Sequence, residues 1–158
     1  MAVLKIVPGG YMNLDALEKL IDYVFHKALL TGGYGVNPLH AAEQMHIVKQ
    51  YWDQTQGKQL RHFVVSFNDR ESKAIYRADD LMIGAYQVCQ SYYEEGYQCV
   101  FGVHRSADGS GWHIHFVVNN TNLMTGRRLS ESNRMDYQLK YVIQASLLPT
   151  QWIQICYD

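Results

Sequence analysis

The stretch that most constrains the fold is a pair of β-rich runs, Cys99-Val100-Phe101-Gly102-Val103-His104 and Trp112-His113-Ile114-His115-Phe116-Val117-Val118-Asn119. Both are dense in β-branched and aromatic residues, and the polar segment Arg105 to Gly111 separates them, so they predict an antiparallel hairpin. Side chains alternate between the faces of a strand, which puts His113 and His115 on one face and Ile114 on the other. Two same-face imidazoles form a chelating pair, and the hairpin can bring His104 beside them as a third ligand. Three neutral imidazoles leave coordination positions open, as a catalytic rather than a structural metal site does. From the pattern alone, two half-exposed polar residues are an equal reading.

The rest of the chain supplies elements to surround this hairpin. Residues 2–7 read as a strand closed by Pro8-Gly9-Gly10. Asn13 can cap a helix running to about Leu30, stopped by Thr31-Gly32-Gly33. A second amphipathic helix covers 39–52, a strand 61–67, a helix 77–95 ending at Gly96, a helix 133–146 and a final strand 151–157. This order predicts an α+β fold, a mostly antiparallel central sheet with helices packed on it.

At 158 residues, 47% hydrophobic and 18% charged, the chain is expected to be one folded domain over 1–158 rather than a disordered tail. It shows neither a signal-peptide pattern nor a run of 18 apolar residues, so the expectation is a cytoplasmic protein with no membrane partner. Cys89, Cys99 and Cys156 form no CxxC pair and read as reduced thiols. The net charge of −1 argues against a broadly basic surface, although Arg127, Arg128, Arg134 and Lys140 crowd one stretch.

Tyr23 lies on the first helix, well away from the centre of the stripe made by Leu17, Leu20, Ile21, Val24 and Phe25. With twelve tyrosines in the chain, an exposed one decides nothing by itself. In sequence with the other features, however, it resembles part of a known pattern. Val3-Leu4-Lys5-Ile6-Val7-Pro8-Gly9-Gly10 followed by Leu20-Ile21-Asp22-Tyr23 is similar to the first motif of the relaxases of conjugative and mobilisable elements, in the branch that includes plasmid mobilisation proteins. Asn37-Pro38, Ala41 to Met45, Lys49 and His62-Phe63-Val64-Val65-Ser66-Phe67 resemble the second region. His104 with His113-Ile114-His115-Phe116-Val117-Val118-Asn119 resembles the third, metal-binding motif of this histidine-hydrophobe-histidine (HUH) superfamily. Leu123 to Leu129 resembles the hairpin that follows it. The resemblance spans residues 3 to about 141. It departs in one acidic position, which is Ser106 here, and in a His104–His113 spacing two residues longer than usual.

The resemblance implies an HUH-endonuclease-like fold and site-specific DNA nicking and rejoining through a 5′-phosphotyrosine. Tyr23 would be the nucleophile, and His104, His113 and His115 would hold Mn²⁺ or Mg²⁺. Asp108 or Glu43 would stand in for the missing acid. Ser66 would approach the DNA beside the scissile bond, with Arg61, Arg127 and Arg128 as phosphate contacts. The implied partners are single-stranded DNA at an origin of transfer, accessory relaxosome proteins and a coupling protein. The implied chain is a catalytic domain that can be the N-terminal part of a longer protein. A rolling-circle replication initiator or single-tyrosine transposase is the nearest alternative, with Tyr137 or Tyr141 as nucleophile. A non-catalytic DNA-binding accessory module is the alternative of another class.

Overall fold

The structure, a computed structural model, describes residues 2–147 and 153–157. In chain order these form β1 (Ala2–Val7), α1 (Ala16–Phe25), β2 (Leu30–Tyr34), α2 (Ala41–Tyr51), β3 (Leu60–Ser66), α3 (Asp69–Lys73), α4 (Met82–Glu94), β4 (Cys99–Arg105), β5 (Trp112–Asn119), α5 (Asn133–Ser146) and β6 (Ile153–Cys156). Single 3-10 turns at Pro38–His40 and Ala78–Leu81 lead into α2 and α4. The strands make one open sheet in the order β2-β4-β5-β3-β1-β6, antiparallel except for the β1–β6 pair. The fold is α+β, and the expected hairpin is its centre: β4 and β5 pair from Cys99↔Val118 to Arg105↔Trp112.

Alternation along the strands divides the molecule in two. Phe63, Val65, Phe101, Val103, Ile114 and Phe116 point to one face and pack with Ala85, Val88, Leu139 and Ile143 of α4 and α5. Leu60, Val100 and Val117 point to the other face and pack with Leu17, Leu20, Ile21 and Val24 of α1 and Met45 of α2. This second core is smaller. Toward the β4–β5 turn its apolar rows give way to histidines on the same face.

Two expected elements differ. The first helix stops at Phe25, and Thr31-Gly32-Gly33 lies inside β2 rather than ending a helix. The glycines are needed for packing: a Cβ on Gly32 would stand 2.5 Å from the Phe101 ring. The segment after β3 forms the short α3, started by a reciprocal cap in which the Glu71 N–H donates to Asn68 Oδ1 at 2.8 Å and the Asn68 N–H to Glu71 Oε2 at 3.1 Å. The expected helix over 77–95 is the 3-10 turn followed by α4. Of the expected last strand, Gln151 and Trp152 lie outside the described residues.

Candidate active site

Cross-strand register assembles the site. One row across the sheet reads Val3–Ser66–His113–His104, and the next reads Lys5–Val64–His115–Gly102. The following row places His62 opposite Val117. His62, His104, His113 and His115 therefore share the face that carries α1. Ser66, the expected DNA-proximal serine, lies directly opposite His113.

The three expected ligands are mutual neighbours. Ring centroids are 5.3 Å apart for His104 and His113, 5.0 Å for His104 and His115, and 5.3 Å for His113 and His115. Burial holds His113 below the usual histidine range, and the nearby His104 adds to this. Burial also pushes His115 down to about 3, with help from His62, His104 and His113. Neutral imidazoles are the form that ligates a metal ion. Rings that each place a nitrogen about 2.1 Å from one ion must crowd to spacings of this order, so donor chemistry and spacing fit a metal.

Among the described residues, however, no group of three His, Cys, Asp or Glu side chains is arranged to hold a metal ion as the side chains stand. One reason is visible at His104, whose Nε2 lies against the Val24 carbonyl oxygen. The carbonyl can only accept, so Nε2 carries a proton and is closed to a metal. In this conformation Nδ1 is the ligating atom that His104 can offer.

Helix α1 brings Tyr23 to the histidines. Leu17, Leu20, Ile21 and Val24 anchor the helix in the second core, which leaves Tyr23 outward and 63% exposed. Its ring stands edge-on to His115, with centroids 5.8 Å apart and planes at 88°. The close approach depends on Gly102, where a Cβ would come within 2.7 Å of the Val24 carbonyl oxygen and 2.9 Å of Val24 Cγ1. A glycine inside a strand is a sequence sign of such close approach. Beside Tyr23 opens a cavity of about 470 Å³ lined by Tyr11, Met12, Asn13, Lys19, Leu20 and Tyr23.

His62 is a fourth histidine that the HxH pattern does not mark, although the alternation His62-Val64-Ser66 places it on this face. Its Nε2 is 3.0 Å from His115 Nδ1, the two rings lie 20° from parallel, and its Nδ1 is 2.9 Å from the Tyr11 hydroxyl.

Other expected site residues lie apart. Arg61 is not on the face of the histidines: its side chain is buried on the opposite face, 1% exposed, and ion-paired with Asp136 of α5. The parity of β3 explains this, because Arg61 shares the direction of Phe63 and Val65. Tyr137 and Tyr141 ride on α5, which packs its Leu139 and Ile143 into the core on that same opposite face, so the sheet stands between them and the histidines. Asp108 lies at the β4–β5 turn and accepts from the Ser110 N–H at 2.9 Å and the Ser110 hydroxyl at 2.6 Å. Glu43 is exposed on α2 and faces His40 at 3.8 Å. Neither carboxylate is bonded to a site histidine. Arg128 donates to the backbone carbonyls of Gln56 and Lys58, and Arg127 is exposed beside it.

A family model for relaxases, the MobA/VirD2-like nuclease domain, matches residues 23–147, from Tyr23 through all three expected ligands. No curated protein and no solved structure matches the chain.

Proposed function

The chain belongs to the relaxase family, matching its MobA/VirD2-like nuclease domain, and from that premise we propose that it cuts and rejoins one DNA strand at an origin of transfer through a covalent bond to Tyr23. The observation that carries this reading is the exposed Tyr23 ring 5.8 Å from His115, beside the clustered His104 and His113.

His104, His113 and His115 would hold the ion, and a divalent metal there supplies charge neutralisation at the non-bridging oxygens of one phosphate. Imidazole donors suit manganese better than magnesium, so Mn²⁺ is the ion of choice for assay. The Tyr23 oxygen attacks phosphorus in line. A bond forms from Tyr23 to phosphorus as the bond to the 3′-oxygen breaks, leaving a 5′-phosphotyrosine. The phenol proton is lost and the released 3′-oxygen gains one. One phosphodiester replaces another, so the released 3′-hydroxyl can reverse the step and restore the strand. Ser66, opposite His113, would donate to a DNA oxygen beside the scissile phosphate, and Arg127 and Arg128 are candidate phosphate contacts further along. Accessory relaxosome proteins and a coupling protein would present the strand and take it onward.

The test is cleavage of a labelled single-stranded oligonucleotide library in Mn²⁺, with mass-spectrometric mapping of the modified tyrosine. Tyr23→Phe is expected to abolish the adduct, while Tyr137→Phe and Tyr141→Phe, on the far side of the sheet, retain it. An adduct that survives Tyr23→Phe would overturn the assignment. Failure of His113→Ala to alter Mn²⁺ binding would instead favour a DNA-binding module without chemistry.

A further inference from the structure

His62 and Tyr11 have no place in the chemistry above, yet they form a continuous hydrogen-bonded chain with His115. His62 is buried, 5% exposed, and both of its ring nitrogens are engaged: Nε2 with His115 Nδ1 at 3.0 Å and Nδ1 with the Tyr11 hydroxyl at 2.9 Å. Tyr11 is held in the left-handed backbone region at φ +39°, a conformation costly for an aromatic residue. The surroundings maintain it. Its carbonyl accepts from the Gln59 N–H at 2.9 Å, and its ring lies over Gly9, where a Cβ would stand 2.7 Å away.

Two proton arrangements satisfy this chain. In one, the Tyr11 hydroxyl donates to His62 Nδ1, and His62 Nε2–H donates to His115 Nδ1. His115 then carries its remaining proton on Nε2 and offers no ligating lone pair there. In the other, His115 Nδ1–H donates to His62 Nε2, and His62 Nδ1–H donates to the Tyr11 oxygen. Only the second leaves the lone pair of His115 on Nε2, the nitrogen away from His62.

We propose that His62, itself oriented by Tyr11, is a positioning residue that accepts the Nδ1 proton of His115 and so presets His115 to ligate a metal through Nε2. A carboxylate or carbonyl commonly does this for a ligating histidine; here the geometry gives the task to another imidazole. The proposal rests on the reading of His115 as a metal ligand.

Two measurements on the full chain separate the two. Side-chain ¹⁵N–¹H correlation spectra of the metal-free protein at pH 7.5 report tautomers directly. His115 is expected as the Nδ1–H tautomer in wild type, with Nε2–H gaining population in His62→Phe. Mn²⁺ titration by calorimetry is expected to show affinity about ten- to a hundredfold weaker in His62→Phe. His62→Gln, whose amide oxygen can accept in place of Nε2, should recover most of it, and Tyr11→Phe should fall between. Folded-state circular dichroism of each variant guards against simple unfolding. Finding His115 as Nε2–H in wild type, or unchanged by His62→Phe, would overturn the proposal whatever the metal does. The expected tautomers without Mn²⁺ binding in wild type would leave the positioning intact and sink the metal reading instead.

Discussion

Arg61 and the site histidines show how far single residues can be read from sequence. Arg61 opens the strand run that ends at Ser66 and Phe67, and from the sequence it reads, with Arg127 and Arg128, as a candidate phosphate contact. The period of two was enough to send it to the other face, but it could not supply the partner, Asp136, which lies 75 residues away. A buried pair of this kind is costly to break from one side, because the charge left behind has no water. Asp136→Ala should therefore lower unfolding free energy by roughly 3–5 kcal/mol, read from urea denaturation. A loss under 1 kcal/mol would mean that the pair contributes little. The histidines impose a pH dependence of opposite character. His62 is pushed down to about 4, mainly by burial with the Lys5 charge adding, and His115 to about 3. In the unfolded chain both titrate near 6.5, so between these values the unfolded state binds more protons. Stability is then fully present above pH 6.5 and falls as pH drops toward 3, by at most about 1.4 kcal/mol per pH unit for each histidine. Thermal unfolding of the metal-free chain from pH 7.5 to 4.5 should show the fall, with a shallower slope in His62→Gln.

At the scale of elements, α1 and the β4–β5 hairpin were legible because their periods are clear. The stripe of α1 left Tyr23 outside it, and the hairpin put His113 and His115 on one face. What the periods could not give is the docking of α1, which depends on Gly102 at the row of His115. Nor could they reveal β2, whose glycines mimic a helix stop while Gly32 makes room for Phe101 and Gly33 for Val100. Gly102→Ala tests the docking. Its Cβ would meet the backbone oxygen of Val24, which cannot turn aside as a flexible side chain can. The end of α1 must move outward and carry Tyr23 from His115. A displacement near 1 Å can cost about a hundredfold in rate, so adduct formation should slow by about that factor. Wild-type rates in this variant would show that Tyr23 reaches the phosphate by motion of its own.

For the whole molecule, the proposed function lays DNA across the α1 face of the sheet. The histidines and Tyr23 occupy one end of the α1 face, near the β4–β5 turn, whereas Arg127 and Arg128 follow the opposite end of β5. From His113 to Asn119 the strand rises roughly 20 Å, so these arginines would meet a strand several nucleotides from the scissile phosphate. Lys5, exposed on β1 in the row of His115, is much nearer the chemistry. With a net charge of −1, the 14 Lys and Arg residues are matched by 15 Asp and Glu, so each cation that contributes should be visible in the salt dependence. Log affinity for single-stranded DNA falls with log salt by about 0.7 per neutralised phosphate. Removing one contact by Lys5→Gln or Arg127→Gln should reduce that slope by about 0.7, in fluorescence-anisotropy titrations with His113→Ala protein to prevent cleavage. In the cleaving protein at saturating DNA, Arg127→Gln should leave the nicking rate unchanged, because a contact there would be remote from the scissile phosphorus. Arg128→Gln should behave differently. It removes the bonds to the carbonyls of Gln56 and Lys58, so its main effect should be on thermal stability. A wild-type slope kept in both Lys5→Gln and Arg127→Gln would place the DNA path elsewhere on the α1 face.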